Sequence, residues 1–294
     1  MGHKAGFVNI IGHPNVGKST LMNALIGEKL SIMTPKAQTT RHRIMGIANG
    51  EDYQVVFSDT PGIIKPKYKL QEKMMGFVAS AYTDADVMLF LTEVEDEFDT
   101  DEIFDKVNSL EVPVILAINK ADISTQETIV GIMDIWKTRL PKAEIFVLSA
   151  LRNYNVQGLL TRLIELLPEN PPYYPKEDIS DRNVRFFVSE MIREQILRNY
   201  SKEIPYSVEV VIESYKETPT IDHISALIYV ERDSQKGILI GPKGESLKRV
   251  GTYARKDIEK FIGKKVFLEI FVKVKKDWRA NENLLRGFGY SNTD

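Results

Sequence analysis

The 294-residue sequence has no cysteine and only four histidines. Disulfides, thiolate metal sites and a cysteine nucleophile are excluded, and a reducing compartment fits that composition. His3, His42 and His223 form no ligand spacing and read as ordinary surface or structural residues. Long apolar runs are missing too. The cleanest stretches, such as residues 87–91, fall far short of the roughly 20 residues needed to cross a bilayer. Residues 1–5 lack the basic and apolar regions of a secretory signal. These absences point to a cytoplasmic protein. No internal repeat or low-complexity tract is present.

The formal net charge of −2 hides an uneven distribution. Residues 1–170 carry 17 Lys+Arg against 22 Asp+Glu, whereas residues 171–294 carry 22 against 19. Within 234–276 the count is 12 against 4, a block of +8 that suits a polyanionic partner. The acidic run 93–105 reads as a solvated loop and helix face. A boundary is marked by the proline-rich stretch 168–175, because proline fixes φ and removes backbone donors. The expected organisation is a first domain at 1–168, a linker at 169–181 and a second domain at 182–294.

Before the linker, short β-branched or aromatic runs at 6–11, 53–57, 87–91, 112–118 and 145–148 read as buried strands. Helical spacing lies between them, as in 20–26 and 129–140. That alternation predicts an α/β domain with a mostly parallel sheet, helices on both faces, and ligands bound outside the carboxyl ends of the strands. After the linker the order is helix–strand–strand–helix–strand, a smaller α+β domain. Its apolar residues run through Val184 to Ile196, Val208 to Ile212, Ile224 to Val230, Leu247 to Phe261 and Val266 to Val274.

Gly12-His13-Pro14-Asn15-Val16-Gly17-Lys18-Ser19 follows the first strand and opens a helix that continues with Thr20. It fits G-x-x-x-x-G-K-S, a loop whose backbone N–H groups cradle phosphates at a helix amino terminus. Lys18 would reach the β- and γ-phosphates, and the Ser19 hydroxyl would ligate Mg²⁺. Asp59-Thr60-Pro61-Gly62 stands just past another strand: the aspartate can hold Mg²⁺ through water, and the Gly62 amide can donate to a γ-phosphate. Asn119-Lys120-Ala121-Asp122 closes a further strand. The Asp122 carboxylate can accept from the guanine N1–H and 2-amino group, a donor pair that adenine lacks. Ser149-Ala150 could offer a backbone N–H to the guanine carbonyl. In the polar segment Ala37-Gln38-Thr39-Thr40-Arg41, one threonine can close over Mg²⁺ when the γ-phosphate is present; Thr40 is favoured over Thr39.

These motifs together resemble those of Ras-like GTPases. The forms G-x-P-N-V-G-K-S and T-T-R are similar to the bacterial TrmE–Era–EngA branch. Ile240-Gly241-Pro242-Lys243-Gly244, followed by a helix, is similar to the GXXG loop of a KH domain. One P-loop GTPase domain followed by one KH-type domain resembles the Era family across essentially the whole chain. A second phosphate loop, as in EngA, or a terminal cysteine motif, as in TrmE, is not present.

The resemblance implies a Mg²⁺-dependent GTPase in which Lys18, Thr40 and Gly62 serve catalysis. His13 departs from the longer basic residue more often found there. Ile63 stands where Ras-like enzymes with a water-orienting glutamine keep that residue, so slow intrinsic turnover is expected. Asn15 has two readings of equal weight: a K⁺ ligand, as in potassium-activated relatives, or a hydrogen bond that shapes the loop. In the second domain, Gly241 and Gly244 would let single-stranded RNA approach, with Lys243, Lys248, Arg249, Arg255 and Lys256 against phosphate and bases read over the adjoining apolar groove. The family implies binding to the 3′ end of small-subunit (16S) rRNA, help in 30S maturation, and a monomer. An alternative is a regulatory or membrane-surface GTPase whose KH-like domain docks a protein or lipid partner rather than rRNA; the membrane case would use the basic face and the tail residues Trp278, Leu284, Leu285 and Phe288 and place the protein peripherally on the inner membrane. Core packing is the competing use of that tail.

Overall fold

The structure is a computed structural model that describes residues 2–94 and 101–291, with Asp101 described by its backbone alone. Residues 95–100 of the acidic run read as a solvated face lie outside the described residues. The chain divides into two compact units: Met1–Ser31, Thr40–Lys65 and Met74–Asp181 form the first, and Ile32–Thr39, Pro66–Lys73 and Arg182–Asp294 form the second. The second unit therefore takes in two short segments that the sequence assigns to the first domain.

The first unit is built on a six-stranded sheet of β1 (Lys4–Ile11), β2 (Ile44–Asn49), β3 (Tyr53–Asp59), β4 (Val87–Glu93), β5 (Val114–Asn119) and β6 (Glu144–Val147). The strand order is β2-β3-β1-β4-β5-β6, parallel throughout except for the β2–β3 pair. Strands 1, 3, 4 and 5 are almost wholly buried, as a sheet covered on both faces requires. The helices are α1 (Lys18–Ile26), α2 (Lys69–Ala81, of which residues 74–81 belong to this unit), α3 (Asp101–Asn108), α4 (Gln126–Arg139) and α5 (Val156–Leu166). On one face Phe90, Phe104 and Trp136 pack ring against ring at 5.6–6.4 Å between centroids. The order in which strands join the sheet reverses around β1, which has parallel β3 on one side and parallel β4 on the other, so loops leaving their carboxyl ends diverge and open a crevice.

The stretch 169–181 was expected as a linker, yet it lies along the first unit. Glu169 bridges to Lys4 and Ser180 to Gly46, while the Gln54 side chain accepts from the Tyr173 and Tyr174 amides. Prolines prevent a regular strand here, and a buried glutamine supplies the partners that the backbone would otherwise lack.

The second unit contains α6 (Val184–Asn199), α7 (Ile204–Ser207), β7 (Glu209–Lys216), β8 (Ile221–Val230), α8 (Asp233–Ile240), α9 (Glu245–Ile262), β9 (Lys265–Val274) and α10 (Glu282–Gly287). Its sheet runs β7-β8-β9, antiparallel then parallel. Val188, Ile192 and Ile196 of α6, Val250, Ala254 and Ile258 of α9, and the inner residues of β8 make the core. The tail closes on the same unit. Trp278 is fully buried with its Nε1 donating to the Ser207 carbonyl at 3.0 Å, and Leu285 is buried as well. Trp278 and Leu285 are core residues, so they do not supply the membrane-facing apolar group of the alternative reading.

Candidate functional site

Four strand ends deliver the special residues of the first unit. β1 runs into the glycine-bearing loop, β3 ends on Asp59, β5 ends on Asn119, and Ser149 follows β6. Gly17 adopts φ +102°, and a Cβ there would lie 2.3 Å from Asn119 Nδ2. Asn119 is thus pressed against the phosphate loop, donating to the Val16 carbonyl at 2.8 Å and accepting from the Ala150 amide at 2.9 Å. At Gly62 a Cβ would lie 2.7 Å from the Pro14 backbone, so only glycine lets that amide come so close to the loop.

Lys18 is buried, its ammonium donating to the carbonyls of Gly12 (3.0 Å) and His13 (2.7 Å). Ser19, near the start of α1, donates to Asp59 Oδ2 at 2.7 Å, with Thr40 Oγ1 2.9 Å from Ser19 Oγ and 3.3 Å from the same carboxylate oxygen. Thr39 turns elsewhere: its hydroxyl bonds the Lys36 carbonyl at 2.6 Å and lies 2.7 Å from Thr34 Oγ1. Burial pushes the Asp59 carboxyl above its ordinary range, against the Ser19 hydrogen bond, the Lys18 charge and further hydroxyl donors. Its second oxygen, Oδ1, is buried without a hydrogen-bond partner. Two hydroxyls around a carboxylate with an unsatisfied buried oxygen suit a hard cation that shares its shell with phosphates and water. Among the described residues no three His, Cys, Asp or Glu side chains gather as a metal site. That is compatible with Mg²⁺, which is rarely caged by protein alone.

The adjoining cavity, about 200 Å³, is lined by Asn15, Gly17, Thr20, Asn119, Lys120, Asp122, Ile123, Ser149 and Leu151. Lys120 and Asn15 both hold left-handed backbone, at φ 63° and 68°. Lys120 pairs with Glu93 in an ion pair, and Arg152 Nε lies 3.8 Å from Asp122 Oδ2. Neither amide expected to meet a guanine carbonyl is idle: Ser149 donates to the Tyr154 carbonyl and Ala150 to Asn119 Oδ1. The next amide, Leu151, makes none of this turn's backbone bonds among the described residues. Ile123 and Leu151, 71% and 75% exposed, form apolar lips on the cavity that the motifs alone do not announce.

In the second unit, α8 ends at Gly241 (φ +72°) and α9 begins after Gly244 (φ +77°), with Lys243 also left-handed at φ 51°. A Cβ on Gly241 would meet Ser246 Oγ at 2.3 Å, whereas nothing lies within 4 Å of one on Gly244. The turn opens on a groove of about 530 Å³ lined by Gly244, Leu247, Lys248, Gly251, Thr252, Arg255, Phe267, Leu268 and Ile270. Lys248 and Arg255 of the expected basic set line it. Ile240, Pro242, Lys243, Arg249 and Lys256 do not, although Pro242 and Lys243 form the turn itself. The β9 residues escape the sequence pattern because β9 reads as a core strand, and Thr252 because an uncharged residue on α9 carries no motif. The available signal was the period-two pattern, which sets Phe267 and Phe271, each 49% exposed, on the face opposite the core set.

Comparison with known proteins decides the family. Residues 7–120 match the model of 50S ribosome-binding GTPases and residues 203–279 that of KH domains. The GTPase Era of Clostridium kluyveri is 45% identical over 98% of this chain and 99% of its own length. The chain belongs to the Era family of GTPases. A solved Era in complex with MgGDPNP and nucleotides 1506-1542 of 16S ribosomal RNA superposes at a TM-score of 0.94, with 37% identity over 98% of this chain and 99% of that one. A single-residue variant of Aquifex aeolicus Era bound to GDP.AlF4- matches at the same TM-score, identity and coverage. In Era terms, the first unit carries the nucleotide loops and the second the KH turn and groove.

Proposed function

We propose that this Era-family chain is a GTP-hydrolysing switch that binds the 3′ end of 16S rRNA and assists maturation of the 30S subunit. The observation that carries the reading is the near-complete likeness to an Era bound to a GTP analogue and to 16S nucleotides. The GXXG turn opening on a basic-edged apolar groove supports it. Lys18 and the amides of residues 13–20 hold the phosphates, and the Gly62 amide meets the γ-phosphate. Asp122 reads the guanine edge, and the Leu151 amide takes the base carbonyl beside Ser149 and Ala150. Asn119 and Lys120 brace that pocket.

The magnesium ligands are Ser19, Thr40 and Asp59; the mutual spacing of their oxygens favours Thr40 over Thr39. Bound there, Mg²⁺ neutralises charge on the β- and γ-phosphates. Ile63 brings no hydrogen-bonding side chain to the attacking water, so intrinsic hydrolysis is slow and the remaining help comes from the threonine-bearing loop, a partner or K⁺. Asn15 is the K⁺ candidate, and equal hydrolysis rates in K⁺ and Na⁺ would leave it with a backbone-shaping role alone. On the RNA side Lys243, Lys248, Arg249, Arg255 and Lys256 meet phosphates while Ile240, Gly241, Pro242 and Gly244 admit the strand. GTP tightens RNA binding, and linkage then requires RNA to tighten GTP binding by the same factor. We place the protein in the cytoplasm as a monomer.

The test is crosslinking to total RNA with sequencing, in GTP-analogue and GDP states. Enrichment at the 16S 3′ end in the analogue state supports the switch. Enrichment on large-subunit RNA, or scattered RNA in both states, overturns it.

A further inference from the structure

Era-type coupling needs a route from the threonine-bearing loop to the RNA turn, and the second unit contains residues that touch both. Segment 32–39 belongs to that unit and is fastened to α6 at two points. Lys36 Nζ donates to the carbonyls of Leu197 and Tyr200, capping the carboxyl end of α6, where backbone acceptors lack helical partners. One turn earlier on α6, buried Arg193 donates to the Thr39 carbonyl while paired with Glu190, whose Oε1 is 2.7 Å from Arg193 Nε. Thr39 is the residue immediately before Thr40.

Tyr200 faces the other way as well. Its hydroxyl donates to the Leu239 carbonyl at 2.6 Å, two residues before Gly241. Ser246 and Arg249, at the start of α9, lie close enough to that hydroxyl to act on it electrostatically. One residue thus receives the loop's lysine on its carbonyl and holds the last turn of α8 with its side chain. The GXXG backbone between Leu239 and Ser246 takes positive φ at Gly241, Lys243 and Gly244, and of these only Lys243 carries a side chain that such a φ strains. The turn's conformation therefore depends on how its two ends are held.

We propose that Tyr200 is a positioning residue through which the threonine-bearing loop sets the GXXG turn, with Lys36 as its contact on the loop. When GTP orders the loop, Lys36 stays on the α6 terminus and Tyr200 holds Leu239, keeping the turn open to the RNA backbone. When the loop releases, Lys36 leaves the Tyr200 carbonyl and the turn loses that support. The proposal rests on the coupling stated under Proposed function.

Fluorescence anisotropy with an RNA oligonucleotide of the 16S 3′ end, in GTP-analogue and GDP states, reads the coupling as a ratio of affinities. The wild-type ratio should be about 5-fold or more. Tyr200→Phe keeps the ring and removes one hydroxyl; Lys36→Met keeps the stem and removes the ammonium. Each should bring the ratio close to 1, the double variant should add nothing, RNA-free GTP hydrolysis should stay at the wild-type rate, and Tm should fall by only a few degrees for the hydrogen bonds removed. A wild-type ratio above about 5 that persists in both variants overturns the relay and leaves the coupling standing. Equal weakening of RNA binding in both states also overturns it, because the ratio is then unchanged. A wild-type ratio of about 1 overturns the coupling and the relay together.

Discussion

At the nucleotide site the loop-bracing and metal-side groups are buried or half-buried and already committed: Lys18 to two loop carbonyls, Asn119 to Val16 and Ala150, Ser19 and Thr40 to Asp59. At the KH groove the lining is open, with Lys248 and Arg255 at its edge and Phe267 half exposed. The first arrangement suits a small ligand of fixed shape, whose selectivity comes from groups that lose their partners when the wrong ligand binds. The second suits a flexible polyanion, for which affinity is spread over many weak, screened contacts. Substitutions should therefore act sharply in the first site and gradually in the second.

Asp122→Asn gives the largest expected effect, a loss of GTP affinity of up to about 10⁴-fold with a gain for xanthosine nucleotides. Nucleotide titration checks it, and an unchanged GTP Kd would remove Asp122 from base recognition. Lys18→Ala should lower kcat by about 10²- to 10³-fold at saturating GTP. Asp59→Asn joins it in losing Mg²⁺-dependent activity, but its stability should behave differently. Because burial raises the Asp59 pKa, ionisation works against the nucleotide-free fold. Wild-type stability should fall relative to the Asn variant as pH rises from about 3.8 through that raised value, and thermal melts of both proteins across pH would show it.

Paired glycine substitutions sharpen the contrast. Gly17→Ala meets both a left-handed backbone and Asn119, and should cost about 3 kcal/mol together with much of the nucleotide affinity. Gly244→Ala meets open space and only the backbone penalty, about 1 kcal/mol. Chemical denaturation distinguishes the two. The smallest effects belong to Lys248→Ala and Arg255→Ala, each lowering RNA affinity a few-fold and the log–log salt slope by about 0.7. A loss of slope without loss of affinity, or the reverse, would mean that the residue does not contact phosphate.

This contrast also explains what could be read from the sequence. The nucleotide loops were legible because each is a short motif at a strand end, and their chemistry is local. Thr39 and Thr40 could not be separated by pattern, since consecutive residues point to different sides and only the folded loop sends Thr40 toward Ser19. The strand Ile44–Asn49 escaped notice because its buried positions do not alternate and Gly46 interrupts it. The pattern points to the Ser149 and Ala150 amides but carries no sign that the Tyr154 carbonyl and the Asn119 side chain engage them. In the second unit the GXXG turn was visible but its groove was not. Phe267, Leu268 and Ile270 come from β9, well downstream of the turn, whose apolar pattern reads as core.

Asn119 has a consequence for how this site could change over evolutionary time. Val16 and Gly17 of one loop and Ala150 of another lean on one carboxamide, so neither loop can drift without disturbing the other. Replacing it with the isosteric aspartate would set a carboxylate oxygen against the Val16 carbonyl, turning an attraction into a repulsion between two acceptors. A lineage exploring new nucleotides is therefore steered toward Asp122, which can be exchanged alone, and away from Asn119, where one step forward would need several compensating steps at once.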